Sequence, residues 1–263
     1  METITSVSNQ KVKDLVKLFR NRGFRDMTGL FAVEGAKLAK EACLSSYEIA
    51  GVFFTKEAYE GYKEDIDTVI DKAGSSSIIT AEISDKISVQ VSAQGIFTVL
   101  KQGEEKSADG LLSKKRVILL DNISDPTNLG AIVRSALAFG YDSVFISKDS
   151  ADRYSPKSQR AAMGALLKSE IVTGDTSEAV KKLRDNGFIV CATVLSDDSQ
   201  DVNSIKKSEK IALIIGNESV GLSKDIINAC DAKIKIDIDK RVESLNASAA
   251  AAVLMYCLRG DAG

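Results

Sequence analysis

Three polar clusters, each following a run rich in aliphatic residues, hold the side chains best suited to chemistry. The first is residues 121–130 (DNISDPTNLG), followed by Arg134 on a helical stretch whose apolar face is Leu129, Ile132, Val133, Ala136 and Leu137. Arg134 falls off that face and can project into a cleft. The second is residues 216–223 (GNESVGLS), where two glycines permit a tight turn and a close approach of backbone to a ligand. The third is residues 241–248 (RVESLNAS). Amides, hydroxyls, carboxylates and a guanidinium can orient and polarise a ligand, but they supply no nucleophile–base pair. The chain has no histidine, which removes Ser-His-Asp and Cys-His catalysis. Cys43, Cys191, Cys230 and Cys257 form no C-x-x-C pair, so zinc sites of the usual spacing are excluded and no metal is expected. Each cluster also has a plain structural reading: Thr127 or Asn128 can cap one helix, Ser223 the next and Ser244 the last.

Short runs rich in Val and Ile, at 117–121, 143–147, 188–194, 211–216 and 232–236, alternate with helical patterns. Strands covered on both faces look like this, so the second half reads as a parallel α/β domain. Open sheets of that kind place ligands at the carboxyl ends of their strands, where all three clusters lie. There is no G-x-G-x-x-G after a strand and no G-x-x-x-x-G-K-[ST], so a dinucleotide or P-loop site is not supported. Residues 249–258 are small and apolar nearly all round, as in a helix that is buried or packed closely on another. The first half reads as a basic amphipathic helix at 11–20, strands at 30–33, 51–55 and 96–100, and helices at 35–44 and 56–73. The polar stretch 101–114 is the best linker, which gives domains of 1–105 and 106–263. Pro126 and Pro156 sit at loop–helix junctions.

The 263 residues leave room for two cores, and 44% hydrophobic with 27% charged residues is ordinary for a soluble globular protein. With 35 Lys+Arg against 37 Asp+Glu, the net charge is −2, so any nucleic-acid site must be a local patch. The first 40 residues hold such a patch: Lys11, Lys13, Lys17, Arg20, Arg22, Arg25, Lys37 and Lys40 outnumber Glu2, Asp14, Asp26 and Glu34. Charge alone also fits a solvated helix face. The opening residues show no apolar signal core, and no stretch of ~18 apolar residues occurs. Cysteines scattered in apolar settings suit a reduced protein. The expectation is a cytoplasmic protein with no membrane contact.

In order and spacing, the clusters resemble the motifs of the SpoU (TrmH) family of RNA 2′-O-ribose methyltransferases, within the SPOUT superfamily. Motif one is Asn128-x-Gly130-Ala131-x-x-Arg134-x-Ala136, preceded by Asp125-Pro126 and closed by Phe139-Gly140. Motif two is Gly216-x-Glu218-x-x-Gly221-Leu222, and motif three is Ser244-Leu245-Asn246-x-Ser248. Residues 160–165 (RAAMGA) resemble the intervening family segment, and the likeness covers about 115–260. More loosely, Ser8-x-x-Lys11 and Phe31-x-Val33-Glu34-Gly35 resemble the small RNA-binding domain, similar to ribosomal protein L30e, that many members carry.

The resemblance implies a C-terminal SPOUT α/β domain with a trefoil knot plus a smaller N-terminal L30e-like α/β domain. It implies a homodimer with the active site near the subunit interface. The implied cofactor is S-adenosylmethionine, held by Thr193, Val194, Gly216, Asn217, Ile236, Ser244, Leu245 and Asn246. The implied catalytic set is Arg134, Asn128, Glu218, Ser244 and Asn246, and the implied RNA contacts are Lys11, Lys17, Arg20, Arg22 and Arg25. The family assigns proton removal to Arg134; because a guanidinium stays protonated, anchoring the neighbouring phosphate is the preferred role. A full N-terminal extension favours ribosomal RNA of the 23S type over transfer RNA. A non-catalytic RNA-binding protein on the same fold is the other alternative, although such a copy should have lost Arg134, Asn128, Glu218 or Asn246. The chain departs from the family at Asp237 and Lys240, where proline and glycine are usual.

Overall fold

The structure is a computed structural model that describes residues 1–141, 143–205 and 208–259. They fall into two compact units, Met1–Glu104 with Asp152–Lys168, and Glu105–Ala151 with Ser169–Gly263. Residues 152–168 were expected with the second half. They pack with the first, because Tyr154 and Leu167 are buried in its core and Asp152 pairs with the buried Arg25.

In the first unit β1 (Glu2–Ile4), β2 (Leu30–Glu34), β3 (Ile49–Phe54), β4 (Ser76–Ile79) and β5 (Ile96–Lys101) form one sheet in the order β1-β4-β3-β5-β2. β5 runs antiparallel to both its neighbours. Side chains alternate across the sheet. Phe31, Val33, Phe54 and Leu100 face one core with α3 (Ala36–Cys43) and α5 (Lys63–Lys72). Ala32, Phe53, Phe97 and Val99 face a second core with α1 (Gln10–Arg20) and α6 (Ala81–Ile87). α1 starts where the Asn9 side chain accepts from Lys11 N, and it buries Val12, Leu15, Leu18 and Phe19. α2 (Arg22–Thr28) follows it, ending at Gly29 with φ +64°.

The single helix expected over 56–73 is two, α4 (Lys56–Gly61) and α5, separated at Tyr62 with φ −134° and ψ 38°. Gly61 is a poor helix former at that point, and the periodicity on either side hides the break. β1, α2, β4 and α6 are short and were not anticipated.

The second unit contains β6 (Arg116–Leu120), β7 (Ser143–Ser147), β8 (Glu170–Gly174), β9 (Ile189–Thr193), β10 (Gln200–Asp201), β11 (Ile211–Ile215) and β12 (Ala232–Lys235). All are parallel, in the order β10-β12-β9-β11-β6-β7-β8. The helices are α7 (Pro126–Ala138), then α8 (Pro156–Ala162) and α9 (Ala165–Lys168) in the first unit, then α10 (Thr176–Asp185), α11 (Lys224–Ala229) and α12 (Ala247–Leu258). Val117, Leu119, Val190, Ala212 and Ile214 pack with α10 and α11. α12 packs against α7 and β11. The stretch expected as a linker contributes a 3-10 turn, Ala108–Leu111, whose Leu111 is wholly buried in this core.

Candidate active site

The carboxyl ends of β9, β11 and β12, with Asn128 of α7, open onto a cavity of about 670 Å³ in the second unit. Its lining includes Asn128, Thr193, Val194, Gly216, Asn217, Glu218, Ile236, Ser244, Leu245 and Asn246, so every residue expected to hold the cofactor lies on one concavity. The sheet order explains this: β9, β11 and β6 are hydrogen-bonded neighbours, and their C-terminal loops must lie side by side.

The motif-one loop is held by short polar bonds. Asn122 has φ +55°, a conformation that asparagine tolerates better than most residues. Its N–H donates to Ser147 Oγ at 2.8 Å, and Ile123 N–H donates to Ser150 Oγ at 3.1 Å. α7 then begins with Asp125, whose carboxylate accepts from Thr127 N at 2.7 Å, and Pro126 occupies the first turn. Neither Thr127 nor Asn128 is the cap. Asn128 is buried, and its amide, not spent on the cap, is engaged within the site.

A directed chain of hydrogen bonds then joins the three motifs. Asn246 Oδ1 accepts from Ser248 N at 2.9 Å and Ala249 N at 3.4 Å, so Asn246 and not Ser244 caps α12. Asn246 Nδ2 donates to Asn128 Oδ1 at 3.0 Å, and Asn128 Nδ2 donates to Glu218 Oε1 at 3.0 Å. Glu218 also accepts from Ser124 N (3.1 Å), Ser124 Oγ (2.9 Å) and Asp125 N (3.2 Å). Partial burial pushes its carboxyl up, but hydrogen bonds from Asn128 and Ser124 outweigh this and hold it at about 2. Glu218 is therefore an ionised clamp whose acceptor positions are taken, and no proton acceptor for the reaction. Ser124 was missed in the sequence because its cluster offered several equivalent hydroxyls and amides.

Asn217, expected to contact cofactor, spends its side chain on the turn. Its Oδ1 accepts from Ser219 N (2.9 Å) and Val220 N (3.1 Å), and its Nδ2 donates to Asn122 O at 2.8 Å. Thr193 likewise turns its hydroxyl onto Ile214 O at 2.9 Å. The Ser244 hydroxyl makes no hydrogen bond among the described residues and faces the cavity. Arg134 is exposed and does not line the cavity. It lies six residues beyond Asn128, about 9 Å along α7 and well round its circumference.

On the first unit, Lys11, Lys17, Arg20 and Arg22 are exposed. Lys11 pairs with Glu2, Lys17 with Asp14, and Arg22 with Asp26, while Arg20 donates to Lys86 O. Arg25 is a correction to the expected RNA contacts. Only 4% of it is exposed; it is paired with Asp152 at 2.5 Å and donates to Leu18 O at 2.7 Å. It is a structural cation out of reach of RNA. Among the described residues no group of His, Cys, Asp and Glu is arranged to hold a metal ion, and no helix is long and apolar enough to cross a membrane.

A seven-stranded parallel sheet with a cavity at its strand ends, closed by three hydrogen-bonded loops, is the fold of the SPOUT methyltransferases. Residues 115–256 match the SpoU rRNA methylase family, and residues 9–98 match the MRM3-like substrate binding domain. The chain is 31% identical over 260 residues to the 23S rRNA (guanosine(2553)-2′-O)-methyltransferase RlmP of Bacillus subtilis, covering 99% of this chain and 100% of that protein. An AdoMet-bound rRNA methyltransferase from Sinorhizobium meliloti superposes with a TM-score of 0.88 at 25% identity, over 98% of this chain and 97% of the other. The SpoU methyltransferase AviRb from Streptomyces viridochromogenes, at 23% identity and a TM-score of 0.83 over 95% of this chain and 97% of the other, shares the fold. The chain belongs to the SpoU rRNA methylase family.

Proposed function

We propose that this chain, as the S-adenosylmethionine-dependent RNA 2′-O-ribose methyltransferase its family membership makes it, methylates one ribose of a 23S-type ribosomal RNA. The observation that carries the reading is the chain Asn246–Asn128–Glu218 at the edge of the cavity, which ties all three family motifs into one site.

The cavity suits the cofactor. Leu195, Val220 and Leu245 line it and are 67%, 78% and 40% exposed, an apolar rim for an adenine to cover. Strand-end backbone near Thr193, Val194, Gly216 and Ile236 can read the edge of a base with fixed donors and acceptors. When bound, S-adenosylmethionine supplies an electrophilic methyl group on a sulfonium. The chain's part is to hold the ribose hydroxyl in line, which by positioning alone lowers a barrier by several kcal/mol. Ser244 and Asn246 hold the ribose, and Glu218 fixes Asn128 so that its amide cannot turn over. We assign the action on the 2′-hydroxyl to Arg134, as the family motif implies: it anchors the adjacent phosphate and stabilises the developing alkoxide, whose proton passes to solvent water.

Arg134 lies off its own cavity, which supports a homodimer in which each arginine serves the partner's site. The exposed apolar residues Leu137, Val253 and Tyr256 of α7 and α12 offer the contact. The strand order, with β11 between β9 and β6, and the packing of the last helix on α7 support the trefoil knot that the family implies. The basic face of α1 and α2 binds RNA phosphate, and four free cysteines suit the cytoplasm.

The test is transfer of radiolabelled methyl from S-adenosylmethionine to total RNA lacking the modification, with the product nucleotide mapped. Label at one 23S ribose is the expected result. Label on transfer RNA alone would redirect the substrate, and no label on any RNA would reject the activity.

A further inference from the structure

We propose that Glu243 is the counter-ion for the α-ammonium group of the bound cofactor, an assignment that rests on the methyltransferase reading above. Three charged side chains line the cavity: Glu218, Lys235 and Glu243. Two of them are committed elsewhere. Glu218 accepts from Ser124, Asp125 and Asn128, and Lys235 Nζ donates to Ser196 O at 3.0 Å. Glu243 is exposed on the wall formed by residues 236–246 and has no hydrogen bond or ion pair among the described residues. Of the neighbouring cations, Arg241 is bound through two nitrogens to Asp239, each at 2.9 Å, and Lys240 makes no ion pair with Glu243. Glu243 is therefore the lining carboxylate that has no partner among the described residues, while Lys235 keeps its positive charge against a backbone carbonyl.

S-adenosylmethionine carries two cationic centres. The sulfonium has three carbon substituents and no hydrogen to donate. The ammonium has three donors, so of the two cationic centres only the ammonium can give a carboxylate a hydrogen bond as well as an opposite charge. On the reading above, the Asn128–Asn246 pair and Ser244 would hold the reacting ribose, and the methyl donor would face them. Glu243 takes no part in that chain of bonds, so the amino-acid end of the cofactor is left to it. The demethylated product keeps its ammonium, so Glu243 holds donor and product alike.

The experiment is titration calorimetry of wild-type protein and Glu243→Gln with S-adenosylmethionine, S-adenosylhomocysteine and methylthioadenosine. The last of these lacks the amino-acid tail. Glu243→Gln should weaken the first two by the same factor, roughly threefold to tenfold for a pair at a solvent-exposed rim, and leave methylthioadenosine unchanged. Weakening confined to S-adenosylmethionine would put the carboxylate at the sulfonium and overturn the assignment. Equal weakening of all three, or of none, would overturn it too. A wild-type protein that binds none of the three would sink the methyltransferase reading itself.

Discussion

Four hydrogen bonds converge on the carboxylate of Glu218, and a glutamine in its place has one acceptor oxygen and an amide that meets donors. Glu218→Gln should therefore release Asn128 and lower methyl transfer on the order of 100-fold through misplacement, measured under single-turnover conditions. The same residue gives a pH signature. Its carboxyl is held at about 2 in the folded state against an ordinary value of 4.5. The stabilisation it supplies is complete above 4.5 and is lost as the pH falls toward 2, so acid unfolding of the wild type should include a component in that window that Glu218→Gln lacks. Arg25 is the opposite kind of charged residue, buried and paired with Asp152. Arg25→Ala leaves Asp152 with an unpaired charge and should destabilise the protein by about 3–5 kcal/mol in denaturant unfolding. Once that loss is allowed for, RNA affinity should be unaltered, whereas Arg22→Ala should lower the salt dependence of RNA binding without touching stability.

At the level of elements, the turn after β11 is built on backbone contact. A Cβ added to Gly216 would lie 2.7 Å from the Gly221 carbonyl carbon and 2.8 Å from Leu222 N, both backbone atoms. Gly216→Ala must prise the turn open, costing about 1–3 kcal/mol of stability. It should also weaken cofactor binding at least tenfold by calorimetry, an order expected from strain of that size. Gly216, like the other motif residues, was visible in the sequence because its type and place after a strand point to such a turn. The aliphatic strands β6, β7, β9, β11 and β12 were equally visible as Val- and Ile-rich runs, whereas the more exposed β8 and β10 were not. What escaped was set by contacts between distant segments. The sequence points to Ser244 as the cap of α12, whereas the structure gives that place to Asn246, which accepts from Ser248 N and Ala249 N while donating to Asn128. Arg25 reads as one more member of a basic stretch until Asp152, 127 residues away, takes it into the core. Leu111 lies in a stretch too polar on average to suggest a core residue.

For the whole molecule, the decisive question is where Arg134 acts. It is exposed on α7, makes no hydrogen bond or ion pair among the described residues, and lies outside the cavity that Asn128 enters. On the same pair of helices Leu137, Val253 and Tyr256 are 42%, 41% and 51% exposed, with Phe139 edge-on to Tyr256 at 5.7 Å. A two-fold contact across these helices would cover the apolar strip and carry each Arg134 to the other copy. The prediction is complementation between two inactive variants. Arg134→Ala should bind cofactor normally but not turn over, and Asn128→Ala should lose the positioned ribose. In a mixed dimer one site would combine an intact Asn128 with the partner's intact arginine, while the other would lack both. After subunit exchange at equal ratio, half the dimers are mixed and one site in each is whole, so about a quarter of wild-type activity should return. If the mixture stays as inactive as its components while native mass spectrometry shows mixed dimers, Arg134 acts within its own subunit and α7 must move to bring it there. If no dimers form at all, the interface on α7 and α12 is wrong, and Tyr256 and Leu137 need another occupant.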